Sequence, residues 1–296
     1  MTPLDQPPEG IDLSPIARLT RDLLQAARVL SDAEARFLVD AYYQMQEDRI
    51  RAAHQVRSLG EAAEPNDFME WLLDQRHALE QRVARALDAY SAGNVIGQWM
   101  RSQIGIGPII AAGMLANIDI KRAPTAGHIW RYAGLDPTVK WEKGQKRPWN
   151  AGLKRLCWLL GESFVKVSGN PDALYGQIYK QRKLVEEANN MAGKFADQAA
   201  AALAAKKFGA DTQARAHYEA GRLPPARVHL RAKRVAVKRF LSDLQAVWYF
   251  NEYGRLAPMP WIIAQGGHAH YVQPPNLEML PGMSEAMRAL PPPALR

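Results

Sequence analysis

Two glycines that flank one apolar residue are the first feature of the chain that could support binding chemistry. Gly105, Ile106 and Gly107 lie between residues 95–103 and residues 109–116, two short segments with the apolar spacing typical of helices. Glycine has no Cβ, so the main chain can turn tightly there with its amides pointing outward. The first amides of the second helix add unsatisfied donors at the positive end of the helix dipole. A corner of this kind can accept a phosphate group from main-chain donors alone.

The order helix, Gly-hydrophobic-Gly, helix resembles the helix-hairpin-helix motif of DNA-binding proteins. In such a motif the amides from Gly105 to Ile109 would contact phosphates without reading bases, and Ile106 would pack inward to lock the turn. The pattern is moderately specific, because ordinary connections between helices also use pairs of glycines. A simple helix connection is therefore the alternative interpretation of these residues.

Positive charge is concentrated in the second part of the chain. Residues 1–100 contain 10 Lys and Arg against 16 Asp and Glu, and residues 101–296 contain 28 against 14. A basic surface attracts polyanions through Coulomb forces and counterion release. Nucleic acid is therefore the expected partner of the second part, and this charge does not distinguish DNA from structured RNA.

Residues 121–155 form the first of two basic clusters, with nine Lys and Arg and only Asp136 and Glu142 as acids. Its cations could neutralise phosphates, although a run of like charge is often no more than a solvated face. Trp141 and Trp149 lie among these cations, where a ring could stack on an unpaired base or pack in the core, and the two alternatives weigh equally. The candidate phosphate ligands are Lys121, Arg122, Lys140, Lys143, Lys146 and Arg147.

Residues 222–239 form the second cluster, with seven Lys and Arg and no acid. They lie in the most regular helical pattern of the chain, residues 226–252, where four cations share one stripe and an apolar stripe is expected to pack in the core. Two interpretations of these cations are equally favoured: they bind successive phosphates, or they form a solvated face. Without acidic partners the cations repel one another. The cations are Arg227, Arg231, Arg234 and Lys238, and the apolar residues are Leu230, Val237, Leu241, Leu244 and Trp248.

Other residues of chemical interest are expected to have ordinary roles. His268 and His270 alternate as two metal ligands on a strand would, but no third ligand is nearby in the sequence. Cys157 lies in an apolar helical segment and is expected to be buried and inert. Trp71 and Trp158 occupy helical positions that are expected to face the core. We therefore expect no metal and no other cofactor.

Several runs of residues resemble one protein family. They are similar to the carboxy-terminal domain of insertion-sequence transposases of the "one-ten" family, which are guided by a bridge RNA and use a serine. The similarity covers residues 95–170 well and residues 222–265 loosely, and the insertion at residues 171–220 departs from it. The matching runs are Ile104-Gly105-Ile106-Gly107-Pro108, Tyr132-Ala133-Gly134-Leu135-Asp136-Pro137, Lys143-Gly144-Gln145-Lys146-Arg147 and Leu153-Lys154-Arg155-Leu156.

The resemblance implies DNA binding in a mobile element, and assembly into a homo-oligomer, because family members act on two DNA sites at once. It also implies a RuvC-like amino-terminal domain with acidic metal ligands, whereas this chain has a helical pattern there. Asp12 looks like a ligand on the first strand of that domain, but prolines flank it. The position of the family's catalytic serine corresponds to residues 141–143, which contain no hydroxyl group.

These departures favour nucleic-acid binding without strand cleavage by the family's route, and whether the chain is an enzyme stays open. One alternative is an active transposase or recombinase that uses a serine from outside the matched loop, such as Ser163 or Ser168. Another alternative is a helical scaffold with no nucleic-acid role.

Helical spacing along the chain predicts an all-α protein. Within the insertion, Asn170 is expected to cap one long alanine-rich helix that extends past Ala205. The expected regions are a mobile amino-terminus at residues 1–15, an acidic helical hairpin or bundle at residues 16–93, a helix-hairpin-helix domain with a long basic closing helix at residues 94–265, and an irregular proline-rich tail at residues 266–296.

The chain is expected to be cytoplasmic and to have no contact with membranes. No apolar run approaches the roughly 20 residues that a membrane-spanning helix needs. The first residues also lack the basic start and apolar centre of a signal peptide.

Overall fold

The computed structural model describes residues 19–60, 67–209, 211–258 and 272–289. Within these ranges the chain forms twelve α-helices and no strand, which confirms the all-α prediction. The chain divides into two compact units, Met1–Gly93 and Asn94–Arg296. Residues 1–15, with Asp12, and the pair His268 and His270 lie outside the described residues.

The first unit contains three helices, α1 (Arg21–Arg28), α2 (Asp32–Gly60) and α3 (Asp67–Ala92). A capping box starts α2, because the Ser31 amide donates to the Glu34 carboxylate at 2.8 Å. The helices α2 and α3 form an antiparallel hairpin, in which the Tyr90 hydroxyl donates to Asp32 at 3.4 Å. Trp71 is 53% exposed, so the prediction that it packs in the core is wrong.

The second unit is built around one long helix. Tightly packed rings fill its core, where Phe240 of this helix meets Trp99, Phe164 and Tyr175. The helices of this unit are α4 (Val95–Arg101), α5 (Pro108–Asn117), α6 (Ala126–Tyr132), α7 (Ala151–Lys166), α8 (Leu174–Met191), α9 (Ala196–Ala205), α10 (Gln213–Glu219), α11 (Pro225–Tyr253) and α12 (Met283–Arg288). The long central helix is α11, and it packs on α4, α6, α7 and α8.

The insertion contains three helices, and two of them, α8 and α9, take the place of the single long helix that its composition predicts. The first begins at Leu174 with Ala173 as its N-cap, so the prediction that Asn170 caps it is also wrong. Gly193 adopts a left-handed conformation with φ of 74° and ends the first of them. The Lys194 amide then donates to the Asn189 carbonyl at 3.0 Å, which closes a Schellman-type cap. The prediction is therefore wrong at this glycine, whose cap outweighs the helix propensity of the alanines around it.

The tail is ordered at residues 272–289, so the prediction of an irregular tail is wrong for this part. Trp99 donates its indole N–H to the Pro275 carbonyl at 2.8 Å, and Arg239 donates to the Val272 carbonyl at 2.9 Å. Four apolar side chains of the segment are buried and hold it against the unit. They are Leu277, Leu280, Met283 and Met287. Among the described helices, none combines the length and the hydropathy that crossing a membrane would require.

Asp243 of α11 is buried in the core of the second unit. Its carboxylate accepts hydrogen bonds from Arg239 at 2.9 Å and from the Tyr175 hydroxyl at 3.0 Å. Burial raises the pKa of the Asp243 carboxyl to about 6, although Arg239 and Tyr175 favour its ionised form. The ordinary value is 3.8, so the folded chain holds this proton more tightly than the unfolded chain does. This contribution to stability is fully present below about pH 4 and is lost as the pH rises through about 6.

Replacement of Asp243 by Asn should remove this pH dependence, because an amide does not titrate. We expect the free energy of unfolding of the native chain, relative to that of Asp243→Asn, to fall by about 2 kcal/mol between about pH 4 and about pH 7. Urea unfolding at a series of pH values measures the difference. If the difference between the two free energies of unfolding stays constant across this pH range, the raised pKa of Asp243 is contradicted.

Candidate nucleic-acid interface

The hairpin corner, residues 102–110, comprises the connection between α4 and α5 and the first residues of α5. Gly105 has φ of 100°, in the left-handed region that favours glycine, and Ile106 is buried beneath the turn. Gly107 is exposed and forms the N-cap of α5, with Pro108 as the first helical residue. The two glycines and the inward isoleucine therefore take the places that the sequence predicts for them.

Main-chain donors are available at this corner. Within the described residues, the amides of Gly107, Ile109 and Ile110 have no acceptor in the chain. Pro108 lacks an N–H group, and the first turn of α5 contains no acidic side chain. The corner therefore combines three unsatisfied donors with the positive end of a ten-residue helix.

The carboxyl-terminal end of α7 holds the corner in place. The Ser163 hydroxyl donates to the Gly105 carbonyl, and a Cβ added at Gly105 would lie 3.1 Å from a methyl group of Val167. The Ser168 hydroxyl donates to the Val165 carbonyl at 2.7 Å. Both serines that could serve as alternative nucleophiles thus donate to main-chain carbonyls.

The basic loop, residues 138–150, has no strand and is held by tryptophan contacts. Gly134 ends α6 with φ of 65°, and a Cβ there would lie 2.8 Å from Cγ of Trp149. The ring of Trp149 meets the ring of Trp141 edge to face, with their centroids 6.1 Å apart. Trp141 also donates its indole N–H to the Gln145 carbonyl at 2.8 Å. The two tryptophans therefore hold the loop, and Trp141 stays partly exposed.

The cations of the basic loop face solvent. Lys140, Lys143, Lys146 and Arg147 are all exposed, and none of them forms an ion pair with a described residue. The Arg147 guanidinium lies 5.4 Å from the centroid of Trp141. The loop therefore presents positive side chains that have no ion-pair partner among the described residues, and tryptophan contacts hold its conformation.

The stripe on α11 is split in the structure. Arg227 and Arg234 are exposed, and the Lys238 ammonium lies 4.7 Å from the centroid of Trp130. Burial, and the nearby charge of Arg234, lower the pKa of Lys238. The four cations therefore do not share one free solvent-facing row.

Arg231 is paired, which corrects the expectation that the stripe has no acidic partner. Its Nε atom donates to the Glu186 carboxylate at 2.8 Å, and its guanidinium lies 4.4 Å from the centroid of Phe195. Glu186 lies on α8, so the partner is distant in sequence. Leu230 is also 43% exposed, so the prediction that it packs in the core is wrong.

Lys121 and Arg122 lie apart from the other candidate ligands. The Lys121 ammonium pairs with Glu252 at 3.2 Å, near the end of α11, and the hydrogen bond that Lys121 donates to Glu252 raises the pKa of Lys121. At 1.5 Å per residue, Glu252 is about 21 Å along this helix from Lys238. Arg122 is exposed beside Lys121.

The hairpin corner and the basic loop lie at opposite ends of α7. Asn150 caps the start of this helix next to the loop, whereas Ser163 contacts the corner near its end. A helix of 16 residues is about 24 Å long, which sets the separation of the two surfaces. The structure therefore separates the hairpin corner from the basic loop by the length of α7.

The α7–α11 groove is lined by α7, α11 and residues 134–137, and has a volume of about 300 Å³. Trp158 opens onto this groove and is 54% exposed, so the prediction that it packs in the core is wrong. Lys154 lies one turn before it on the same face, with its ammonium 4.1 Å from the centroid of Trp149. Lys154 and Trp158 are four residues apart, which places them on the same face of a helix. This spacing is the feature of the sequence that could have indicated the groove.

Two predictions concern reactive side chains. Cys157 is buried, and burial raises the pKa of its thiol to about 12. Its predicted buried position is confirmed. Across the described ranges, no three His, Cys, Asp or Glu side chains are grouped as a metal site requires.

Substitution of Gly134 by Ala should damage the basic loop. Alanine is strained at this positive φ, and its Cβ would displace the Trp149 ring, so we expect a loss of about 2 kcal/mol or more in the free energy of unfolding. Gly144→Ala is the matched control, because φ is 96° there and nothing lies within 4 Å of the added Cβ. Urea unfolding and trypsin cleavage within the loop provide the measurements, and equal effects of the two variants would contradict a role for the Trp149 contact.

Comparison with known proteins adds one match. The sequence model described as the Transposase IS116/IS110/IS902 family matches residues 98–173, which contain the hairpin corner, the basic loop and α7. No curated protein and no solved structure matches the chain. Residues 98–173 therefore form a domain related to the transposases of the IS116/IS110/IS902 family.

Proposed function

We propose that this chain binds duplex DNA in the cytoplasm through phosphate contacts that do not read the bases. The observation that carries the proposal is the accessible hairpin corner, where three main-chain amides lack an acceptor among the described residues. Amides at a helix N-terminus match the phosphate oxygens of a nucleic-acid strand in both geometry and charge. The match to a transposase family supports DNA as the partner.

Positive side chains supply the second part of the interface. The four cations of the basic loop, together with Arg227 and Arg234, are exposed and free of carboxylate partners among the described residues. Each phosphate that such a cation neutralises releases counterions and adds about 0.9 to the slope of log affinity against log salt concentration. Arg231 and Lys121, which are paired with acids, are expected to contribute less.

The separation of the two surfaces determines the length of DNA that the binding assay requires. About 24 Å of α7 lies between the corner and the basic loop, and this corresponds to about seven base pairs of duplex. A probe must therefore be considerably longer than seven base pairs to reach both surfaces. A duplex of about 30 base pairs meets this condition.

Strand cleavage by the family's serine is not part of the proposed function. Residues 141–143 carry no hydroxyl, and the hydroxyls of Ser163 and Ser168 donate to main-chain carbonyls. We expect supercoiled plasmid incubated with the protein and Mg²⁺ to stay intact. Nicking that is abolished by Ser163→Ala or Ser168→Ala would instead establish an active recombinase.

The first unit is the proposed site of self-association. Val29 and Phe37 are large apolar side chains that are mostly exposed on this unit, at 81% and 71%. Exposed apolar patches of soluble proteins commonly mark contact sites. A homo-oligomer built on this surface would present two DNA-binding units at once.

Substitution of Gly107 by Asp tests the hairpin corner directly. A Cβ there contacts nothing within 4 Å, so the fold should be kept, and the new carboxylate would cap the free amides while repelling phosphate. We expect affinity for a 30-base-pair duplex to fall at least about tenfold, which is 1.4 kcal/mol, with no loss of thermal stability.

Gly107→Ala is the control for this experiment, because it adds a Cβ and leaves the amides free. It should bind DNA with nearly the native affinity in the same gel-shift or anisotropy assay. If Gly107→Asp also binds like the native chain, the corner is not a phosphate site.

The charge of the basic loop can be tested through the salt dependence of binding. We expect the double variant Lys143→Gln, Lys146→Gln to reduce the slope of log affinity against log salt concentration by about 2, because two phosphate contacts are lost. Lys194→Gln, Lys207→Gln removes the same charge from exposed positions of the insertion and should leave the slope unchanged. Equal changes in the two variants would indicate a general charge effect.

A further inference from the structure

The α7–α11 groove has the composition of a site for a flat, charged ligand. Its floor is apolar and includes Leu135, Cys157 and Val237, while Trp158, Lys154 and Arg234 line its sides. Its volume of about 300 Å³ lies at the small end of the range for ligand pockets. An apolar floor with cations at the sides suits a ring system that carries an anionic group.

Trp158 is held in place although most of its side chain is exposed. The Lys233 ammonium lies 5.0 Å from the centroid of this ring, and it pairs with the Glu162 carboxylate. The stem of Lys233 is buried against Gly161, where an added Cβ would lie 2.7 Å from its Cγ. A fixed lysine thus supports the indole, which keeps 54% of its surface accessible for stacking.

Cations beside the ring have the freedom to bind phosphate. Arg234 is exposed and forms no ion pair or hydrogen bond with a described residue. The Lys154 ammonium lies over the face of Trp149 and forms no ion pair with a described residue. The carboxylate at the rim, Asp136, accepts from the amide and the hydroxyl of Thr138 at 2.9 and 2.7 Å. These hydrogen bonds lower the pKa of Asp136, and its carboxylate is engaged with a residue of its own turn.

We propose that the α7–α11 groove binds an unpaired nucleotide, with the base stacked on Trp158 and the adjoining phosphates on Lys154 and Arg234. This inference rests on the proposed nucleic-acid function and extends it to single-stranded segments. In a duplex the bases are stacked on one another and cannot reach the indole, whereas an unpaired base offers a free face. The ligand is either a single strand of DNA or an unpaired stretch of RNA.

Fluorescence anisotropy with labelled 12-nucleotide oligothymidylate and oligouridylate tests the proposal on the full chain. Stacking of one base on an aromatic side chain accounts for roughly a 5- to 150-fold change in affinity. We therefore expect Trp158→Ala to weaken binding of the single strands at least about tenfold, and Trp158→Phe to weaken it less. The preferred strand of the two identifies the source of the nucleotide.

Trp71→Ala is the matched control, because Trp71 is exposed to nearly the same extent, 53%, and lies in the other unit. It should leave single-strand affinity unchanged. Arg234→Gln is a second variant at an exposed position, and it should also weaken single-strand binding.

Parallel measurements with a 30-base-pair duplex separate this inference from the proposed function. Trp158→Ala should leave duplex affinity unchanged, whereas Gly107→Asp should lower it. Single-strand affinity that survives Trp158→Ala, or that falls in proportion with duplex affinity, would overturn the groove as a nucleotide site. Failure of duplex binding alone would overturn the proposed function and leave the groove standing.

Discussion

The close packing of α7 between α5 and α11 is the constraint on which the arrangement of the second unit depends. Gly113 of α5 lies against Leu156, and Gly161 of α7 lies against the stem of Lys233, in both cases with no room for a Cβ. The same helix holds the hairpin corner through Ser163, and its Leu153 amide donates to Asn150 at the end of the basic loop. Helices approach this closely only where a side chain is missing, so the glycines fix the spacing of α5 and α11 on either side of α7, and the length of α7 sets the separation of the two binding surfaces.

Local features of this fold could be predicted from the sequence because their causes lie within a few residues. The capping box of Ser31 and Glu34 spans one helical turn, and the tight turn between α4 and α5 uses the positive φ of Gly105, which glycine favours. The all-α class follows from spacing repeated along the chain. Signals of this kind need no knowledge of distant partners.

Tertiary partners decided the features that could not be predicted. Arg231 meets Glu186 across 45 positions of the chain, and only the packing of α8 on α11 brings them together. The exposure of Trp158 has the same kind of cause, because helical spacing predicts an apolar face without saying whether a neighbour covers it. At Gly193 the cause is local instead, because one residue in a left-handed conformation divides a segment whose composition favours a single helix.

The ordered segment at residues 272–289 gives the chain a particular order of assembly. Trp99 of α4 donates to the Pro275 carbonyl, 176 positions later, and Asn276 donates to Ser102 beside the hairpin corner. The first helix of the hairpin thus gains contacts from a segment that is synthesised long after it. A nascent chain that stops before residues 272–289 would carry the corner without this support, so these contacts form only after that segment has left the ribosome.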